Sequence, residues 1–243
     1  MLEYQGGYIG PSLLKMFNFS FQELNAIYLS LKIASVAILF ALPLAIFVAW
    51  VLARKNFWGK NLLNGIVHLP LVLPPVVIGY LLLISMAKKG VIGQYLWQWF
   101  GFSFSFSWRG AVLASMVMAF PLMVRSIRQA FEAVDPKLEQ AARTLGANPL
   151  KVFFTLTLPL SFSGIIAGAV LGFARSLGEF GATITFVSNI PNETQTIPAA
   201  LYTFIETPDG EVAAARLCAV AILISLGALF ISEMLASRQK KYQ

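Results

Sequence analysis

Charge is scarce in this chain. Only 12% of its 243 residues are Asp, Glu, Lys or Arg, while 58% are hydrophobic. A soluble domain of this length needs more polar surface than that. Cysteine is scarcer still: Cys218 stands alone inside an apolar run, which excludes a disulfide framework and offers no metal cluster. His68 is the single histidine. There is no Gly-x-x-x-x-Gly-Lys-Ser/Thr phosphate loop, so the chain cannot itself be an ATPase. A Ser/His/Asp set and a metal-ligand set are both missing, so neither an enzyme nor a cofactor is implied. Before residue 25 there is Glu3 and no compact basic-then-apolar segment, which predicts no cleaved signal peptide.

What the chain does have is long apolar runs. About 20 apolar residues cross a bilayer core as a helix. Five stretches qualify, at residues 33–53, 62–87, 110–124, 158–187 and 212–235. The first helix is expected to start near Leu24. The third should continue past Arg125 as a polar helix, and the fourth is long enough to bend or break. Residues 8–30 are too mixed to make a sixth span. The expected fold is an all-α polytopic membrane protein of about five transmembrane helices. Residues 1–25 form an outer N-terminal segment, 26–236 the transmembrane domain, and 237–243 a basic cytoplasmic tail.

The net charge of +7 could point to nucleic acid, but the basic residues sit beside apolar runs, so no nucleic-acid partner is expected. Short cytoplasmic loops are enriched in Lys and Arg. Arg54, Lys55 and Lys60 follow the first span; Arg125, Arg128, Lys137, Arg143 and Lys151 lie between the third and fourth; Arg238, Lys240 and Lys241 end the chain. Five spans with the N-terminus outside put all eleven on the cytoplasmic side. Lys15, Lys88, Lys89 and Arg109 fall on the other.

Between spans three and four lies a short polar segment with its own start and stop. Asp135 is an N-cap and Pro136 occupies the first helical position, where a missing N–H costs nothing. Leu138, Ala141, Ala142 and Leu145 follow at i, i+3, i+4 and i+7, which is one apolar face. Gly146 suits a left-handed C-cap, and Pro149 prevents continuation. A ten-residue helix is marginal alone and must pack on something: the protein's own spans, the lipid surface, or a partner.

This segment resembles the signature of ABC importer permeases: Glu-Ala-Ala, three residues, Gly, nine residues, Ile-x-Leu-Pro. Gln140, Ala141, Ala142 and Gly146 match the first part, and Leu156-Thr157-Leu158-Pro159 the second. Gln140 stands where the family has Glu, with Glu139 beside it, and Leu156 stands where it has Ile. The resemblance implies that Glu139, Gln140, Ala141, Ala142, Leu145, Gly146, Leu158 and Pro159 dock a separate ATP-hydrolysing subunit. Three further stretches resemble the molybdate permease branch: "HLPLVLPPVVIGYLLL", the run from "FSWRGAVLASM" to "ARTLGA", and "FARSLGEFGATITFVSNIPNETQTIPAALYTFI". The likeness covers roughly residues 26–236. It implies a permease in a bacterial inner membrane, surrounded by lipid and working as a pair of copies. A pair of ATP-binding subunits would drive it, and an extracytoplasmic molybdate-binding protein would feed it. Sulfate and tungstate permeases share the Gly-Glu-Phe-Gly-Ala style of motif and stay open as alternatives.

Other residues carry two readings each. Arg175 and Glu179 stand four apart in span four, a spacing that allows an ion pair on one helix face. Intramembrane charges are costly and usually paired or facing a cavity, so the pair either joins helices or flanks the translocation path or its gate. Pro70, Pro74 and Pro75 predict a kink in span two, with Pro74 and Pro75 as candidates for the pore wall. Gly164, Gly168 and Gly172 form a small-residue ladder for close helix packing. Gly178 and Gly181 around Glu179 favour a broken helix. His68 is expected to make a structural hydrogen bond rather than relay protons. Residues 189–211 form a polar outer loop containing an amphipathic helix, "IPAALYTFIE". That loop is a cap, a landing surface for a delivery protein, or a helix lying at the interface. An ion-coupled secondary transporter is the rival from another class; it would need several unpaired intramembrane carboxylates, and only Glu179 is present. A membrane scaffold without a pathway would not need the Pro and Gly pattern.

Overall fold

The computed structural model describes residues 18–240. Among them every regular element is helical. The expected N-terminal segment mostly lies outside the described residues, as do Lys15 and Lys241. Helix α1, Phe21–Arg54, starts a turn earlier than expected, so residues 21–25 belong to the bundle and not to a separate segment. Ser20 and Glu23 form a reciprocal capping box: Ser20 Oγ accepts from Glu23 N–H at 3.3 Å and Glu23 Oε2 accepts from Ser20 N–H at 2.7 Å. Two of the four orphan N–H groups at the helix start are thereby satisfied.

The centre of the bundle is α5, Trp108–Ala133, which does continue past Arg125. Two helices clasp it. Along α1, Ala34, Ala37, Ala41, Ala45 and Ala49 are fully buried; this spacing puts small side chains on one face, so the backbones approach closely. Ala37 shares a cluster with Ala111, Ala114 and Met118 of α5, and Ala41, Ala45 and Ala49 share one with Ala119 and Met123. On the other side, α9, Phe162–Leu177, lays the glycine ladder on α5. A Cβ on Gly168 would fall 2.9 Å from Ile127 Cγ1, and one on Gly172 2.6 Å from Met123 Cγ. The ladder therefore packs, as its pattern predicts.

The second run is not one kinked helix. It is α2, Lys60–Val72, and α3, Pro75–Met86, meeting at 111°. Two adjacent prolines explain the sharpness: Pro74 and Pro75 remove consecutive N–H donors, and the residue before a proline is driven out of the α region. The helix α4, Gly93–Phe100, follows on the far side. The fourth run breaks twice. It enters through α7, Pro149–Val152, a π-helical turn at Phe153–Thr157 and α8, Leu158–Leu160. The chain bends by 69° into α9, stops at Gly178, and resumes as α10, Gly181–Val187. Three helices are long and apolar enough to cross a membrane, and counting each bent pair as one crossing gives five.

The loop helix α11, Ile197–Glu206, matches its predicted bounds. It packs through Ile197 and Ala200 on Ala26 of α1 and Leu217 of α12. Helix α12, Glu211–Lys240, carries residues 237–240, so the basic end is a continuation of the last span. Its outward Leu223 and Phe230 are bare.

Candidate functional site

Two candidate sites lie at different places in the bundle. The first is the short helix after α5, here α6, Pro136–Thr144. Asp135 Oδ1 accepts from Lys137 N–H at 2.9 Å, and Pro136 starts the helix. At the other end Gly146 takes φ +88°. Its N–H donates to Arg143 O at 3.0 Å, and Ala147 N–H donates to Ala142 O at 3.1 Å. Those bonds satisfy carbonyls that the helix end would leave unpaired. A Cβ on Gly146 would meet nothing within 4 Å, so the space beside it is open.

The apolar face of α6 does not pack on the bundle. Leu138 is 49% exposed and Leu145 89%; Gln140 and Ala141 are exposed and Ala142 is half-buried. A capped helix that turns its leucines to the outside has the form of a docking element. Glu139 points the other way. Its residue is 7% exposed, and its Oε1 accepts from Arg54 Nε at 3.0 Å and from Thr157 Oγ1 at 2.8 Å. Of the residues assigned to docking by resemblance, Glu139 is therefore the one that is buried. Arg54 and Thr157 are the partners that sequence reading missed.

Leu158 and Pro159 lie after the π turn. Proline at 159 has no N–H to give to the carbonyl of residue 155, and its ring crowds that carbonyl. The ladder widens just ahead of it over Phe153–Thr157. Such single π turns often mark functional positions inside helices. Leu158 packs against the cluster of Ala45, Ala49, Phe131 and Ile165, while Pro159 is exposed.

The second site is a junction of breaks. Glu179 Oε2 lies 2.5 Å from Arg175 Nη1, and Glu179 Oε1 accepts from Ala182 N–H at 2.7 Å. One carboxylate therefore closes the end of α9 and caps the start of α10, where the helix dipole favours it. Glu179 is buried, whereas the Arg175 side chain keeps 27% of its surface. The break in α2–α3 abuts this one. A Cβ on Gly181 would fall 2.8 Å from Pro75 Cβ, and one on Gly79 would fall 2.5 Å from Ala182 O. The structure thus brings Arg175, Glu179, Pro74 and Pro75 to one region where two spans lose their helical continuity. Broken backbone at membrane depth is tolerated where protein buries it or it lines a cavity.

Elsewhere, His68 Nδ1 hydrogen-bonds Asn64 O at 2.8 Å, one turn back. In α11, the Glu206 carboxylate hydrogen-bonds Tyr202 and pushes its phenol above the usual range. Among the described residues no group of three or more His, Cys, Asp or Glu is placed to hold a metal ion.

Comparison with known proteins agrees with this architecture. The family described as "Binding-protein-dependent transport system inner membrane component" matches residues 41–241. The molybdenum transport system permease protein ModB of Haemophilus influenzae is 66% identical over 219 residues, covering 90% of this chain and 96% of that protein. The protein of the same name from Escherichia coli K12 is 65% identical over 214 residues, covering 88% and 93%. More distant is a probable sulfate transport system permease protein, cysT, from Zygnema circumcarinatum. It is 31% identical over 217 residues, covering 89% and 75%. Among solved structures, a bacterial ABC transporter involved in import of the acidic polysaccharide alginate has the same fold, with a TM-score of 0.73 at 21% identity, covering 95% of this chain and 85% of that one. The MetNI methionine ABC transporter aligns with a TM-score of 0.68 at 14% identity, covering 95% and 99%. The chain therefore belongs to the family of binding-protein-dependent transport system inner membrane components, as a multi-pass permease subunit.

Proposed function

We propose that this permease subunit carries molybdate inward across a bacterial inner membrane, driven by ATP hydrolysed in a separate subunit. The observation that carries the substrate is the 65–66% identity, over nearly their whole length, to two permeases named for molybdenum transport. The sulfate relative is 31% identical, which makes sulfate the weaker alternative. The rival of ion-coupled transport would need several unpaired intramembrane carboxylates, and Glu179 is paired with Arg175 and accepts from the Ala182 N–H.

In this reading two copies line one pathway, and each receives one ATP-binding subunit. Gln140, Ala141, Ala142, Leu145 and Gly146 form the docking face on the cytoplasmic side. Leu158 and Pro159 carry the displacement into the fourth span through the π turn. Arg175, Glu179, Pro74 and Pro75 form the region that changes width as the pathway alternates, because helix breaks are hinge points while the packed α1–α5–α9 core is not. An extracytoplasmic molybdate-binding protein delivers the anion to the outer loop. Specificity then rests mainly on that protein, which fits the few charged groups in the spans.

The test is uptake by vesicles containing the chain with its ATP-binding subunit and binding protein. Labelled molybdate should accumulate only with ATP inside, and excess sulfate should not compete. Uptake of sulfate in preference to molybdate would overturn the substrate assignment.

A further inference from the structure

Glu139 is a charged side chain on the docking helix that does not face a docking partner. Its Oε1 receives Arg54 Nε at 3.0 Å, Arg54 Nη2 at 3.0 Å and Thr157 Oγ1 at 2.8 Å. The same guanidinium donates from Nη2 to Val134 O at 2.9 Å, on the turn that enters α6. Arg143 Nη2 stands 4.0 Å from the other carboxylate oxygen. The side chains of Arg54 and Glu139 keep only 12% and 9% of their surface. Three segments meet on one carboxylate: the last residue of α1, the docking helix, and the π turn that leads into α9. Charge-assisted bonds in a dehydrated setting are stronger and more directional than neutral ones.

Helix α1 is the element that makes this junction mechanically informative. Its 34 residues make a rod of roughly 50 Å at 1.5 Å per residue. One end is held by Glu139. The other end holds the outer loop at several points. Ser30 Oγ accepts from Ile197 N–H at 2.7 Å, Gln22 Nε2 donates to Gln195 Oε1 at 2.9 Å, and Asn25 Nδ2 donates to Asn192 Oδ1 at 3.0 Å. Glu23 holds Arg216 at the start of α12. Between the two ends, a buried alanine stripe keeps α1 seated along α5.

We infer that Glu139 is a positioning residue that ties the docking helix to α1 as well as to the entry of α9. Displacement of α6 is then shared between two spans, and α1 carries part of it to the loop on the opposite face, where α11 sits. The inference rests on the docking role proposed above for α6. It adds that α6 and the end of α1 move as one body, and that Glu139 is what joins them. Thr157 takes the same carboxylate, so the π turn is held in register with both.

The experiment uses the whole assembly of permease and ATP-binding subunits, in a Cys218→Ser background, with spin labels at Lys137 and Asn56. Both side chains are exposed, and neither belongs to the docking face or the junction. In the parent chain the distance between labels within one copy should not change on adding ATP. In Glu139→Leu it should change, and molybdate uptake per ATP hydrolysed should fall about tenfold, within the ordinary range of coupling energies, while the ATP-binding subunit still co-purifies. Glu139→Gln keeps the shape and the Thr157 bond, so it tests the charge in a chain that folds. It should show the same direction of change, smaller in size. The reversed pair, Arg54→Glu with Glu139→Arg, should restore the fixed distance. A parent distance that changes with ATP would overturn the inference. So would variants that keep both the fixed distance and the parent uptake per ATP. Failure of the parent to retain the ATP-binding subunit would instead sink the docking role itself.

Discussion

Glu23 and Arg216, 193 residues apart, form a two-pronged ion pair that fastens the first turn of α1 to the first turns of α12. Arg216 Nε donates to Oε1 at 2.7 Å and an Nη2 hydrogen to Oε2 at 2.8 Å. Glu23 is fully buried and the Arg216 side chain is 11% exposed. The planar guanidinium suits this geometry in a way a lysine ammonium cannot.

Removing one partner strands a buried charge, at a cost of about 3–5 kcal/mol, whereas replacing both with apolar groups is often nearly neutral. Arg216→Met and Glu23→Leu should therefore each lower the melting temperature of the purified protein strongly, and the double substitution should recover most of it. Additive losses in that cycle would show that the two side chains do not stabilise each other.

Arg175 and Glu179 should behave differently from Glu23 and Arg216, because Glu179 also caps α10. Arg175→Met leaves the carboxylate its Ala182 N–H, while Glu179→Leu loses both the ion pair and the cap. A lost N-cap alone costs about 1 kcal/mol. Arg175→Met strands a buried carboxylate, whereas Glu179→Leu leaves a guanidinium that keeps 27% of its surface, so the expected order of stability is parent, then Glu179→Leu, then Arg175→Met, with the double variant close to Glu179→Leu. Recovery of folding without transport in the double variant would support a gate role; recovery of both would leave the pair a helix connector. Arg175→Met as stable as the parent would show that the buried carboxylate does not depend on its partner.

The glycine ladder gives a graded packing test. Gly168→Leu and Gly172→Leu would push side chains into Ile127 and Met123, and overpacking of this kind costs about 1–3 kcal/mol or more. Gly65→Ala places a methyl where nothing lies within 4 Å and should be neutral or slightly stabilising. Equal melting temperatures for all three variants would show that α9 and α5 do not depend on close approach.

Orientation can be read by labelling. In a Cys218→Ser background, a cysteine at position 192 should react with a membrane-impermeant thiol reagent from outside. A cysteine at position 55 should react only after permeabilisation. The reverse pattern would overturn the placement of the basic loops in the cytoplasm.

Much of this molecule is legible in local sequence because its punctuation is local. Asp135-Pro136 and Gly146 fix both ends of α6 within one residue, and the Gly178–Gly181 stretch does mark a broken helix. Residues 197–206 show their helix through their own period. What local sequence does not show is pairing across distance. Nothing beside Glu139 announces Arg54, 85 positions earlier, and nothing beside Glu23 announces Arg216. The face of α6 that carries the apolar period is the outward one, so periodicity alone points to burial where the structure has exposure. Pro74-Pro75 signals a bend, but its 111° follows from both prolines acting on one turn. The π turn before Pro159 is also tied across distance, since Thr157 Oγ1 donates to Glu139 Oε1.

Whether α6 seats an ATP-hydrolysing partner is read from how much of that partner stays with the purified permease. Gly146→Asp should be tolerated by the fold, since Asp is one of the side chains that enters the left-handed region at modest cost and the space beside Gly146 is empty. It places a charge in the apolar docking contact beside Leu145, which should cut the retained partner about tenfold or more. The expected variant inserts in the membrane, melts somewhat below the parent because of the left-handed backbone at position 146, and retains little ATP-binding subunit. A Gly146→Asp permease that kept its full share of that subunit, with unchanged ATP turnover, would contradict it.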